Sequence, residues 1–144
     1  MSKMIFVNLP VTSLGAAKAF YEAIGAVNNP QFTDETAACM VFSDTIHVML
    51  LTHAKFAEFT PKPIADAHAA SEVLIAISAD SRAGVDEMAD NALTAGGREP
   101  RPAQDYGFMY SRSFEDLDGH IWEPMHMDMD AFTAMTAESE PATA

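Results

Sequence analysis

Cysteine is nearly absent: Cys39 stands alone in 144 residues. No internal disulfide can form, so a reducing cytoplasm is the expected compartment. Cys39 lies in the apolar run Ala37-Ala38-Cys39-Met40-Val41-Phe42, where a thiol serves as a small hydrophobe rather than a nucleophile. Positive charge is also scarce, with 8 Lys and Arg against 21 Asp and Glu, for a formal net charge of −13. That balance argues against nucleic acid and anionic membrane surfaces as partners. No apolar run approaches membrane-spanning length, and the N-terminus lacks the charged-then-apolar plan of a signal peptide. There is no Gly-rich phosphate loop, because Ala95-Gly96-Gly97 ends a helical pattern and does not begin one. No Ser-His-Asp order stands out. What remains is a chain of single-domain length, 49% hydrophobic, long enough to bury a core.

The pattern present is doubled. Met4 to Val11 is rich in β-branched and aromatic residues and reads as a strand. Thr12 or Ser13 can cap a helix with Leu14, Ala17, Phe20, Tyr21 and Ile24 at helical spacing, stopped by Gly25. A short strand over Val27 to Phe32 follows, then a hairpin of Ala37 to Ser43 and Ile46 to Thr52. Residues 53–71, broken by Pro61 and Pro63, form a loop or partly helical arm. The second round opens with Glu72 to Ala79 as a strand, and Asp80 or Ser81 caps a helix with the stripe Val85, Met88, Ala89, Ala92, Leu93. Gly96-Gly97 ends it, a short strand near Arg98 to Arg101 follows, and Gly107 to Phe114 with His120 to Met127 closes. Two rounds of strand, helix, strand, strand, strand at a near-constant offset mark an internal duplication. The domain therefore covers residues 1–128, with module one at 4–52, the arm at 53–71 and module two at 72–128. Residues 129–144, dominated by Ala, Thr, Glu and Pro, read as a flexible acidic tail.

One stretch carries more than fold. In Glu115-Asp116-Leu117-Asp118-Gly119 the Asp-Gly pair favours a tight turn. Past it, alternation puts Ile121, Glu123 and Met125 on one face of a strand and His120, Trp122 and Pro124 on the other. A carboxylate among apolar neighbours is paired, metal-bound, protonated or turned to a wet cavity. Asp116-Leu117-Asp118-Gly119-His120-Ile121-Trp122-Glu123 resembles the Asp-Pro-Asp-Gly-x-x-x-Glu signature of the glyoxalase, bleomycin-resistance and extradiol-dioxygenase superfamily, also called the vicinal oxygen chelate superfamily, with Leu117 in place of Pro. Ser13-Leu14 through Phe20-Tyr21 to Ile24-Gly25 is similar to its first helix. The resemblance implies an α+β fold of two βαβββ modules, whose curved mixed sheets enclose a cavity.

In metal-dependent relatives the first and last strands of both modules each supply one metal ligand. The corresponding positions here are Phe6, Met49, Leu74 and Glu123, and only the last has a donor for a hard or borderline divalent ion. Asn8, His47 and Glu72 lie two residues from the expected places, hence on the same strand faces, and with Glu123 they make the one alternative metal set. Each displacement shifts a side chain by about 6–7 Å, so the residues favour no metal cofactor, with a divalent Zn, Ni, Mn or Fe ion as the alternative. His47 taken alone reads as a hydrogen-bonded histidine beside the cavity. Phe6, Asn8, His47, Met49, Leu74, Tyr106, Tyr110 and Met125 instead suggest an apolar small-molecule pocket with few polar anchors, and Glu123 as acceptor or base. The expected function is thus a glyoxalase- or bleomycin-resistance-like protein that binds a small-molecule ligand without a catalytic metal. The alternatives are a divalent-metal lyase or isomerase of glyoxalase I (lactoylglutathione lyase) type, and a structural dimer with a vestigial pocket. A homodimer is expected, since curved sheets leave edges that need covering.

Overall fold

The computed structural model describes residues 2–139. Strand β1 (Ile5–Val11) leads into helix α1 (Leu14–Ala23). Ser13 caps that helix, its Oγ accepting from the Ala16 N–H, and Gly25 at φ 108° turns the chain out of it. Strands β2 (Val27–Asn29), β3 (Ala37–Val41) and β4 (Ile46–Thr52) complete the first module, with a 3₁₀ turn at Pro30–Phe32 where the strand was expected to continue. Pro30 removes an N–H that the ladder would need. In the first sheet, ordered β1-β4-β3-β2, β1 and β4 run parallel with Phe6 opposite His47 and Asn8 opposite Met49.

The second module repeats this order. Strand β5 (Leu74–Ser78), helix α3 (Arg82–Thr94), β6 (Gln104–Asp105), β7 (Met109–Ser111), β8 (Phe114–Glu115) and β9 (Ile121–Met127) form a sheet ordered β5-β9-β7-β6, with β8 also on β9. Here too the first strand is parallel to the last, Ala76 lying opposite Glu123. The short strand expected at Arg98 to Arg101 is displaced to Gln104–Asp105, leaving only a single bridge from Arg98 to Glu115. Pro100 and Pro102 cannot donate to a ladder.

The inner faces of both sheets pack on the helices in one shared core. Leu9, Val11, Met40, Val48 and Leu50 of the first sheet meet Ala17, Phe20 and Tyr21 of α1, and the same cluster continues into Ala92 of α3, Phe114 and Trp122. Trp122 and Tyr21 are edge-on at 5.9 Å, and Phe42 lies 5.5 Å from Trp122. Burial of each such side chain stabilises by about 1.5–3 kcal/mol. The outer faces are left open, and they carry Phe6, Asn8 and Met49 on one module and Leu74, Glu123 and Met125 on the other.

The arm is the loop and part helix expected of it, whereas the tail differs. The arm at 53–71 begins as helix α2 (His53–Ala57) and then folds back on its own chain. It reaches the Asp-Gly turn so closely that a Cβ on Gly119 would stand 2.7 Å from the His68 nitrogen, and Gly119 itself has φ 90°. Only glycine meets both demands. Residues 129–139, expected as flexible tail, form helix α4 (Met129–Ser139). Asp128 supplies its cap by accepting from the Ala131 N–H, and Phe132 packs on Phe108 at 5.2 Å. These two contacts anchor a segment whose Ala and Met content already favours helix. The last five residues of that expected tail lie outside the described residues.

Candidate functional site

Each open sheet face carries its own cavity. The first, about 410 Å³, is lined by Met4 and Phe6 of β1 and its approach, Asn29 and Phe32 at the 3₁₀ turn, and Cys39, His47 and Met49 of β3 and β4. Phe6 stacks on the His47 ring at 4.6 Å and 17° and is half exposed. His47 is 8% exposed, and its Nδ1 has no hydrogen-bond partner among the described residues. The hydrogen-bonded histidine expected at this position is therefore not found. Burial pushes the Cys39 thiol up from its ordinary value, which disfavours the thiolate and fits its place as a small hydrophobe.

The second cavity, about 270 Å³, lies on module two between β5, β7, β9 and the segment before β6. Glu123 and Met125 line it with Ala76, Met109, Ser111 and Ser113, and Arg101, Gln104 and Tyr106 rim it. Glu123 makes no hydrogen bond or ion pair with another described residue, and neither does Arg101. Arg112 reaches the same cavity with its charge already committed to Asp86 at 3.1 Å, Asp90 at 2.8 Å and Glu99 at 3.0 Å. Burial opposes its charge, but three carboxylates outweigh it and hold the guanidinium above its usual value. Ser113 is 3% exposed and its hydroxyl, like Nδ1 of His47, lacks a partner among the described residues.

The expected site residues are therefore divided. Phe6, His47 and Met49 come together in the first cavity, and Glu123, Met125 and Tyr106 in the second. Asn8 and Leu74 stand exposed on the open faces outside both. Tyr110 donates its hydroxyl to Asp86 at 2.6 Å beneath the Arg82 guanidinium, and so belongs to the α3 surface rather than to a pocket. Arg101 and Ser113 sit in irregular segments, where no alternation assigns a face, and Gln104 in a two-residue strand too short to show one.

The polar turn that opens the signature has a different task. Asp116 is buried, and its Oδ1 accepts from the backbone N–H groups of Asp118 and His120 while Oδ2 accepts from the Tyr21 hydroxyl at 2.6 Å. Tyr21 in turn accepts from Nε1 of Trp122 at 2.9 Å. His120, 2% exposed, directs Nδ1 at Glu72 at 2.5 Å and Nε2 at the Pro10 carbonyl at 2.8 Å. Asp118 accepts from the Thr12 N–H and hydroxyl, both at 2.9 Å. The turn thus ties the end of β1, helix α1 and the approach to β5 together across the two modules.

Two acceptors facing both ring nitrogens call for a doubly protonated imidazole. Burial by itself lowers the His120 pKa, but Asp116, the Pro10 carbonyl and Glu72 together raise it above the ordinary 6.5. A raised folded value means that the contribution is complete below about pH 6.5 and is lost as pH rises through the folded value. Burial also raises the pKa of Asp116, which acts in the same direction from the carboxylate range upward. The melting temperature is expected to fall as pH rises above about 6.5, and His120→Gln should abolish that part of the slope. A variant with an unchanged slope would count against the assignment.

The described residues of the single chain do not bring a divalent-metal donor set together. At the four family ligand positions only Glu123 offers oxygen. Of the displaced set, Glu72 is held by His120, Asn8 is exposed, and His47 and Glu123 line different cavities. Among the described residues no three His, Cys, Asp or Glu side chains come together to hold an ion.

No family model and no curated protein matches the sequence. Solved structures do match the fold. A glyoxalase/bleomycin resistance protein/dioxygenase family enzyme from Burkholderia phytofirmans is 14% identical, covering 88% of this chain and 99% of its own at a TM-score of 0.71. A glyoxalase-related enzyme from Fulvimarina pelagi is 18% identical over 88% of each chain at 0.72. The fosfomycin resistance protein FosX from Listeria monocytogenes is 18% identical over 91% and 98% at 0.64. At such identities the likeness is one of fold. The chain has the paired βαβββ fold of these solved glyoxalase/bleomycin resistance/dioxygenase proteins, the fold that the sequence motifs implied.

Proposed function

We propose that this protein binds a small organic molecule on the open faces of its sheets, without a resident divalent metal, and works as a homodimer. One observation carries the reading. The two buried side-chain polar atoms that lack a partner among the described residues are Nδ1 of His47 and Oγ of Ser113, and each belongs to a residue lining one of the two cavities. Buried polar groups are nearly always satisfied, and an orphan beside a cavity is the mark of a missing partner. The likeness to proteins named for bleomycin or fosfomycin resistance accords with a small-molecule role. Exposed Phe6, Leu74 and Met127 on the open faces, 50%, 57% and 37% accessible, support covering by a second copy.

The test joins binding to mass. A thermal-shift screen of small organic acids, alcohols and phenols should find compounds that stabilise the protein, whereas Ni²⁺ or Zn²⁺ should not, since a ligand at 100 times its Kd adds about 2.7 kcal/mol to the native state. Sedimentation should give twice the chain mass at micromolar concentration. Stoichiometric metal retained on purification, with a large stabilisation on its return, would refute the metal-free reading.

A further inference from the structure

We propose that Asp118-Gly119 is the site of spontaneous isoaspartate formation in this chain, and that the Thr12 hydroxyl keeps it closed in the folded protein. The inference stands apart from the small-molecule reading.

The sequence singles the pair out. It is the one place in 144 residues where Asp or Asn precedes Gly. Glycine has no Cβ, so its amide nitrogen is the least shielded neighbour that a carboxyl can have. In an open chain that nitrogen attacks Cγ of the preceding Asp. The N–Cγ bond forms, and the carboxyl OH leaves with the amide proton as water, giving a five-membered succinimide ring. A water molecule then opens the ring at one of its two carbonyls. Opening at Cγ restores Asp, whereas opening at the main-chain carbonyl breaks the original peptide bond to the Gly119 nitrogen. The backbone then runs through Cβ and Cγ, one carbon longer, and the old main-chain carbonyl ends as a free carboxylate. Nothing is oxidised or reduced, and the mass is unchanged.

The fold obstructs each requirement. Oδ1 of Asp118 accepts from the Thr12 N–H and from the Thr12 hydroxyl, both at 2.9 Å, which ties the carboxyl to the end of β1 and restricts its rotation toward the next nitrogen. The Gly119 N–H is itself engaged, donating to the Asp116 carbonyl at 3.2 Å. An amide held in a buried turn gives up its proton only when the turn opens. The room is taken as well. A Cβ on Gly119 would stand 2.7 Å from the His68 nitrogen and 2.8 Å from the Ala67 carbonyl carbon, so a turn one backbone carbon longer collides with the arm. Because the same turn joins the two modules, the modification would loosen that joint.

Thr12 is the part of the lock that a substitution removes most cleanly. It is exposed, and Thr12→Val keeps its shape and its backbone N–H while deleting the hydroxyl. Loss of a hydrogen bond to a carboxylate raises the open population about tenfold, and the rate of isomerisation with it.

The full chain is held in mildly acidic buffer below its melting temperature and then digested. The isoaspartyl and aspartyl forms of the peptide spanning Asp118 are separated by chromatography, and the same protein in concentrated urea supplies the open-chain rate. That rate should exceed the folded one about a hundredfold. Folded Thr12→Val should isomerise about tenfold faster than the parent and at the parent rate in urea, which separates a lost lock from altered chemistry. Thr12→Ser, which retains the hydroxyl, should stay near the parent rate, and Asp118→Glu, whose ring would have six members, should give no product at this position. A folded rate equal to that in urea would overturn the closed site. An unchanged folded rate in Thr12→Val, or a Thr12→Ser rate as fast as that of Thr12→Val, would overturn the part given to the hydroxyl. Isoaspartate appearing first at Asp80-Ser81 in urea would overturn the assignment of the site.

Discussion

Asp116→Ala is expected to destabilise the protein by about 3 kcal/mol, or roughly 10 °C in melting temperature. The carboxylate is buried and serves three donors, the backbone N–H groups of Asp118 and His120 and the Tyr21 hydroxyl. Each stranded donor costs about 1–3 kcal/mol. Against this stands the desolvation of Asp116 itself, seen in its raised pKa, which the substitution relieves and which keeps the loss below the full sum. Asp116→Asn retains an acceptor for the two backbone groups and presents an N–H₂ to Tyr21, so it should lose about half as much. Urea denaturation of both variants checks the order. A loss under 1 kcal/mol for the alanine variant would show that the turn does not depend on this carboxylate.

Trp122→Ala should cost about 3–5 kcal/mol, the range for removing a fully buried large aromatic. Trp122 is 1% exposed, contacts the Tyr21 and Phe42 rings, and donates Nε1 to the Tyr21 hydroxyl. Trp122→Phe keeps most of the ring contact and drops the donor, so its loss should be near 1–2 kcal/mol. The pair also couples: Trp122→Phe combined with Tyr21→Phe should lose less than the two singles together, by about 0.5 kcal/mol or more, since both remove the same bond. Strict additivity in urea denaturation would mean that the hydrogen bond contributes nothing.

The two variants bear on one structural point, that the signature stretch does two jobs on two faces. Asp116, Asp118, Gly119 and His120 hold the modules together, while Glu123 lines the cavity on the open face of the second sheet. The turn has a structural reason to be what it is whether or not a metal ligand follows it.

Local chemistry made the architecture legible from sequence. Ser13 and Ser81 cap their helices because a hydroxyl next to a free helical N–H is a short-range fact, and Gly25 and Gly96, at φ 108° and 104°, end them for the same kind of reason. Strict alternation placed Glu123 with Ile121 and Met125 on one face of β9 and Trp122 with Pro124 on the other, and both faces stand as read. What alternation cannot do is say which residues from different strands meet. The carboxylate of Glu123 and the imidazole of His47 share a kind of face but not a cavity, because the two sheets pack back on a common core and turn their open faces separately. The arm, the end of β1 and the Asp-Gly turn meet only in three dimensions, so Glu72 gave no sign in the sequence that its partner is His120, 48 residues on. Helix α4 was hidden because its apolar residues show little periodicity, and what holds it is Phe132 against Phe108, a contact between segments. The sequence by itself determined the modules and the face of each strand, since those follow from period and capping. Which donors stand free beside a cavity was decided by packing alone, because satisfaction of a polar atom depends on neighbours that the chain brings from far away.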